Sequence, residues 1–321
     1  MRKQWGRRGF LGAGAGWLSG CGGDLPRWTG GRRPVAVLKA AAYGVDLDDI
    51  LWRGARLCGL QARGKRVLLK PNFVEFDSGS CINTDMAMVA AAYRLFERLG
   101  AAEVRIGEGP GHRRDTMHLA EEAGYFDAVA GFEDRFVDLN RDEVAPVPGF
   151  LENEPEMYFS RQLLSADLIV SLPKMKTHHW AGVTLSMKNL FGLVPGAVYG
   201  WPKNPLHYRG IDRSIVELSR IFHNTFAIVD GVVGMEGNGP IQGTAKDSGV
   251  VVMGSNLAAV DATCCRVMGL DPEKVRYLQM AAGIGPIREI EIEQRGESPR
   301  AVMTPFAVTG EFLDLRMGRE S

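Results

Sequence analysis

"ADLIVSLPKMKTHHWAGVTLSMKNLFG", residues 166–192, decides how the rest of the chain is read. Its opening is an apolar run of strand length, bounded by Pro173. Three lysines, two adjacent histidines and an asparagine follow before Gly192. A buried strand therefore hands over directly to titratable chemistry. In open parallel α/β sheets, ligands bind outside the carboxyl ends of the strands. The stretch thus predicts one wall of a ligand crevice rather than an idle surface loop.

The same grammar recurs outward from it. "VAVLK" (35–39), "RVLLKPN" (66–72), "EVRIGEGPG" (103–111), "RFVDLN" (135–140), "FAIVDGVVGMEGNGP" (226–240) and "SGVVVMGSN" (248–256) read as strands or strands with exits. Between them lie helical patterns such as "TDMAMVAAAYRLFERLGA", with Thr84 as candidate N-cap, and "LAAVDATCCRVMGLDP". "MHLAEEAGYFDAV" reads as one further helix. Strands alternating with helices of this length imply βαβ units. Continuous apolar strands imply a sheet covered on both faces. The predicted fold is α/β, with a mostly parallel sheet, helices on both faces and a Rossmann-like doubly wound architecture. The body spans 34–306, with a polar, proline-marked stretch near 142–160 as the place where two lobes would part, and 307–321 as a C-terminal tail.

The chain has 321 residues, 45% hydrophobic and 24% charged, as expected of a globular protein with a sizeable core. Formal net charge is zero, yet Arg2, Lys3, Arg7 and Arg8 stand in an opening segment without acids. Without the first twenty residues, 34 basic residues face 38 acidic ones. A mildly acidic body lacks the electrostatic footprint of a nucleic-acid binder.

The opening segment, 1–20, reads as a cleavable export signal: a basic start, a short weakly apolar run, then small residues before Cys21. "RRGFL" (7–11) resembles a twin-arginine signal, which implies the twin-arginine translocase as partner. "LSGC" (18–21) resembles a lipobox, which implies lipidation of Cys21 and a cell-envelope or periplasmic lipoprotein held at a membrane surface. Gly-rich residues 21–33 read as a flexible tether. Of the remaining cysteines, Cys58, Cys81, Cys264 and Cys265, none forms a C-x-x-C, so zinc knuckles and ferredoxin-type clusters lack support. They read as buried small hydrophobes.

Candidate site residues follow from position. Lys70 and Asn72 end a strand, with Pro71 forcing Lys70 extended. Glu108 sits in a Gly-rich exit that matches neither Rossmann nor Walker patterns. Of the pair His178 and His179, one is the candidate base or metal ligand, because Lys174, Lys176 and Lys188 would hold its imidazole neutral. Adjacent residues seldom serve one centre, so one histidine is expected there and not both. Thr184 predicts an N-cap with Lys188 and Asn189 behind it, a place for an anion. Glu236 and Asn238 come from the "MEGNGP" loop, Glu236 as second acid/base or metal ligand. Asp261 reads as a buried hydrogen bonder ahead of a catalytic acid. His112, His118, His207 and His223 read as surface or packing residues.

Together "LLKPNFV", "GEGPG", "SLPKMKTHHWAGVTLSMKNLFGLVPG", "DGVVGMEGNGP" and "AAVDATCCRVMGLDP" resemble the signature blocks of the domain of unknown function 362 family, from about Val35 to Gly285. That family has no general agreed activity. Some relatives carry an added iron–sulfur segment, whose cysteines this chain lacks. A fainter likeness is to nickel-pincer lactate racemases. His178, Gly182 and Lys188 are similar in spacing to a racemase block, with Ser186-Met187 where the racemases carry glycines. That likeness implies His178 as proton acceptor and Lys188 as a cofactor contact.

The resulting expectation is an exported enzyme acting on a small anionic substrate by proton or hydride transfer, racemase/isomerase-like or an oxidoreductase. Lys70, Lys174, Lys176 and Lys188 would hold the anion. The cofactor is left open between a metal ion and an organometallic or nucleotide-type group. The alternative is a non-catalytic lipoprotein that binds a ligand, metal or cofactor.

Overall fold

The computed structural model describes residues 28–113, 115–149 and 155–318. The export signal, Cys21 and most of the tether lie outside the described residues. One ten-stranded sheet organises the body. Its strands are β1 (Arg33–Lys39), β2 (Arg66–Pro71), β3 (Glu103–Glu108), β4 (Phe136–Asp138), then β7 (Leu168–Leu172), β8 (Lys174–His178), β9 (Gly182–Thr184), β10 (Thr225–Asn238), β11 (Gln242–Gly254) and β12 (Ile292–Gly296). Between β4 and β7, β5 (Val144–Pro148) and β6 (Glu156–Ser160) form a separate two-stranded ladder.

The main order is β12-β1-β11-β10-β7-β2-β3-β4. The half from β10 to β4 is parallel throughout, and β12 runs parallel to β1. β11 is antiparallel to both β1 and β10, so the sheet is mixed but mostly parallel. Both faces are covered, as the continuous apolar strands predict. On β1, Val35 and Val37 join one core and Ala36 and Leu38 the other; on β2, Leu68 faces the first and Val67 and Leu69 the second. Helices Leu257–Val267 and Ile211–Ile221 cover the first face, and Leu47–Leu57 and Met86–Arg98 the second.

Local departures have local causes. The helix read from Thr84 is capped by Asp85, whose side chain accepts from Ala87 N. Thr84 Oγ1 instead donates to Leu172 O, tying the helix entry to the end of β7. The helix read over "MHLAEEAGYFDAV" breaks at Gly124, whose φ of 79° suits glycine and ends the turn. "DGVVGMEGNGP" is strand as far as Asn238, because β11 continues the ladder beside it. β8 prolongs β7 along that extension, with Asp230 opposite Lys174 and Met235 opposite Lys176. The polar stretch is therefore a second tier of sheet, standing beyond the parallel strand ends. The tail folds back onto it: Ala307 O accepts from Gly237 N, and Thr309 to Glu311 reach the crevice described below. All four body cysteines are free thiols; Cys58, Cys264 and Cys265 are buried and Cys81 is half-buried. Among the described residues, no helix is long and apolar enough to cross a membrane.

Candidate functional site

The ends of β2, β3 and β7 open into one crevice of about 930 Å³. Its walls include Lys70, Asn72, Glu108, Lys174, His178, Thr184, Lys188, Asn189 and Asn238, from four separate stretches of the chain. The volume suits a small-molecule ligand.

Two of the predicted anion-holding lysines are already neutralised. Lys70 Nζ lies 2.6 Å from Glu108 Oε2, both side chains being buried, and donates also to Pro71 O and Asn189 Oδ1. Glu108 accepts in addition from Phe73 N and Gly109 N. Burial lowers the Lys70 pKa, and Glu108 partly offsets that. Gly192 closes over the pair: a Cβ there would stand 2.0 Å from Glu108 Oε1 and 2.5 Å from Lys70 Nζ. Asn189 spends its amide on Lys70 O and Ser171 Oγ, so it positions Lys70 rather than reaching for a ligand. Lys174 Nζ pairs with Asp230 Oδ2 at 2.6 Å and donates to Tyr43 Oη, whose hydroxyl donates to Asp230 Oδ1. These two ion pairs frame the crevice without leaving charge over.

Three other lysines have no carboxylate within ion-pairing distance among the described residues. Lys176 Nζ donates to Asn72 Oδ1 at 2.7 Å and to Pro240 O at 3.3 Å. Lys203 Nζ donates to Gly109 O at 2.5 Å and Phe191 O at 3.1 Å. Lys188 Nζ sits 3.7 Å over the Phe191 ring and meets no hydrogen-bond acceptor among the described residues. Burial pushes each down to about 7, with Lys174 adding to the effect on Lys176 and Lys70 to that on Lys188. Desolvation disfavours the charged ammonium, and neighbouring ammonium groups repel it. Lys203 was invisible in the sequence, where "GWPKNP" carries no pattern; its φ of 66° turns it inward.

The tandem histidines reverse the expected roles. His178 Nδ1 accepts from Trp180 N at 3.0 Å and Ala181 N at 3.3 Å. Two backbone donors on Nδ1 put the ring proton on Nε2. Burial, then Lys188, pushes His178 down to about 2. It is therefore a neutral Nε2–H donor, and the expectations of a base or metal ligand at His178 are corrected. His179 has the opposite tautomer: Gly239 O lies 2.6 Å from its Nδ1 and can only accept, which leaves the Nε2 lone pair free. His179 lines the same crevice. His207 and His112 line it too, rather than the outer surface, and His207 meets Trp180 and Phe191 edge-on.

Two further expectations are corrected. Glu236 is outside the crevice: its carboxylate accepts from Ala307 N, faces Lys246 at 3.4 Å and borders a separate cavity of about 320 Å³. Thr184 is the last residue of β9 and caps nothing; the short helix Ser186–Asn189 starts two residues later. Its free N–H groups are taken by Asp261, which accepts from Ser186 N at 2.8 Å, Met187 N at 3.1 Å and Tyr277 Oη at 3.0 Å. Burial pushes Asp261 up to about 6 against those bonds. The anion foreseen at that helix start is a side chain of the protein.

These residues do not fit a metal ion. Both His178 nitrogens are assigned to hydrogen bonds or a proton, Glu236 is elsewhere, and no group of three or more His, Cys, Asp or Glu converges among the described residues.

A thylakoid-associated protein of Synechocystis sp. is 27% identical over 229 residues, which is 70% of each chain. The lactate racemase apoprotein from Thermoanaerobacterium thermosaccharolyticum superposes with a TM-score of 0.44 at 16% identity, over 76% of this chain and 59% of its own. That likeness is too loose to carry residue roles across. The profile of the domain of unknown function DUF362 matches residues 67–266, more than half of the chain. The chain belongs to the DUF362 family.

Proposed function

We propose that the crevice binds a small carboxylate or phosphate anion and moves a proton on it. The observation that carries this reading is a set of three lysines without carboxylate partners among the described residues: half-buried Lys188 and buried Lys203 line the cavity, and buried Lys176 stands behind its lining residues Asn72 and Pro240. Unpaired buried charge is costly, so an anion supplied from outside would stabilise the ammonium forms. Lys70 and Lys174 serve as framework, locked to Glu108 and Asp230. His178 donates its Nε2–H to an oxygen of the bound anion, and His179 offers the Nε2 lone pair as base. A neutral imidazole donor beside an accepting one can polarise a carboxylate or carbonyl while an α-proton leaves. No step here requires a metal.

The test is α-proton exchange. The full chain is incubated in D2O with small 2-hydroxy- and 2-oxo-carboxylates, and loss of the proton signal at C2 of the former or C3 of the latter is followed by NMR. His179→Asn should abolish exchange while calorimetric anion binding persists. Binding without exchange in the unaltered protein would favour the alternative, a non-catalytic binding lipoprotein.

The site of action is proposed to be a membrane surface outside the cytoplasm, through Arg7-Arg8 and Cys21. Support comes from those two coincident sequence patterns, and from the relative named as thylakoid-associated.

A further inference from the structure

Resting on the anion-site reading above, we propose that Lys188 is an imine-forming lysine whose amine adds to the carbonyl of a small oxo acid held in the crevice. Three features of its surroundings set it apart. Lys188 lines the crevice and its Nζ meets no acceptor among the described residues, whereas those of Lys176 and Lys203 are each tied to two oxygens. Its backbone is held in place, because Asp261 grips Ser186 N and Met187 N at the start of its helical turn. A second cation stands nearby: Lys203 bonds the carbonyl of the same Phe191 whose ring Lys188 covers. A desolvated amine beside other cations is the arrangement that leaves a lysine nucleophilic near neutral pH. The lowering of Lys188 to about 7 agrees with this placement.

The chemistry balances on the groups present. The Lys188 lone pair adds to the carbonyl carbon, and a proton from the amine passes to the carbonyl oxygen, giving a carbinolamine. The Lys203 ammonium protonates that hydroxyl, which leaves as water and yields the protonated imine. The carboxylate of the oxo acid is the anion that the lysines lack. Conjugation with the imine acidifies the carbon next to the C=N wherever that carbon carries a proton, and His179, which lines the same cavity, offers Nε2 to receive it.

Reductive trapping tests this. The full chain is treated at pH 7 with glyoxylate and sodium cyanoborohydride, which delivers hydride to an imine carbon, and labelled lysines are mapped by peptide mass spectrometry. At that pH an amine of pKa about 7 has on the order of 1000-fold more free base than an exposed lysine. The expected result is one carboxymethyl group, on Lys188, suppressed by excess oxalate, which has the charge but no reactive carbonyl. Lys188→Arg should remove it. Label spread over exposed lysines, with Lys188 at or below their average, would overturn the proposal; the map on the unaltered chain decides this even if the variant fails to fold. Oxalate binding, measured by calorimetry in parallel, separates the two readings. Binding without Lys188 labelling defeats the imine alone, and absence of both defeats the anion site as well.

Discussion

Glu108→Gln is the perturbation whose cost the structure specifies best. Glu108 and Lys70 are each 1% exposed, and the substitution removes the carboxylate facing Lys70 Nζ at 2.6 Å. Breaking a buried pair by removing one partner costs about 3–5 kcal/mol. Lys70 can escape by giving up its proton. At pH 7 that costs about 4.6 kcal/mol for a lysine of ordinary pKa, which caps the charge penalty; at pH 9 the cap falls to about 1.9 kcal/mol. In the variant the folded Lys70 pKa lies below its unfolded value, so the unfolded chain binds more protons between the two and stability rises with pH. Denaturant unfolding of the full chain should therefore show a deficit of about 3–5 kcal/mol at pH 7 that shrinks by about 2 kcal/mol at pH 9. A Lys70→Met, Glu108→Leu double variant should recover most of the loss, since apolar replacements of buried pairs are often neutral. A single variant within about 0.5 kcal/mol of the parent at pH 7, or one indifferent to pH, would refute the reasoning.

Three further outcomes follow from other parts of the site. Gly192→Ala should destabilise by about 1–3 kcal/mol and weaken oxalate affinity, because its Cβ meets Glu108 and Lys70 inside contact distance; unchanged unfolding and calorimetry would count against that crowding. Asp261→Ala should cost about 3 kcal/mol by orphaning two backbone donors and the Tyr277 hydroxyl, and should weaken oxalate binding by loosening the turn that carries Lys188; a denaturation midpoint like that of the parent would contradict it. Cys21→Ala should convert an acyl-bearing, membrane-fractionating species into one that mass spectrometry finds without lipid; identical masses and fractionation would remove the anchor.

The parallel half of the sheet is readable in the residues because β2 and β7 are continuous apolar runs, a pattern that only a sheet covered on both faces requires. The β10 extension is not, since Gly231, Gly234 and Gly237 resemble a loop. Gly231 and Gly234 are instead places where Met175, Val250 and Phe306 come too close for a Cβ. The clustering of Lys70, Glu108, His178 and Lys188 follows from strand-end position alone. Which lysines are paired does not, because the carboxylates that neutralise Lys70 and Lys174 lie 38 and 56 residues away. The imidazole roles were equally hidden: they depend on backbone N–H and C=O groups of the β8–β9 turn and of Gly239, which leave no trace in side-chain identity. Glu236 shows the reverse failure, a polar residue at a strand end whose carboxylate is drawn to Ala307 N and Lys246.

Competitive acetylation of the full chain against pH tests the central claim most directly, with each lysine followed by peptide mass spectrometry. Lys188 should reach half-maximal reactivity near pH 7, about three units below the exposed lysines, and should shift upward when oxalate is bound. A Lys188 that titrates with the exposed lysines, or is indifferent to the anion, would contradict a cationic crevice awaiting its counter-charge.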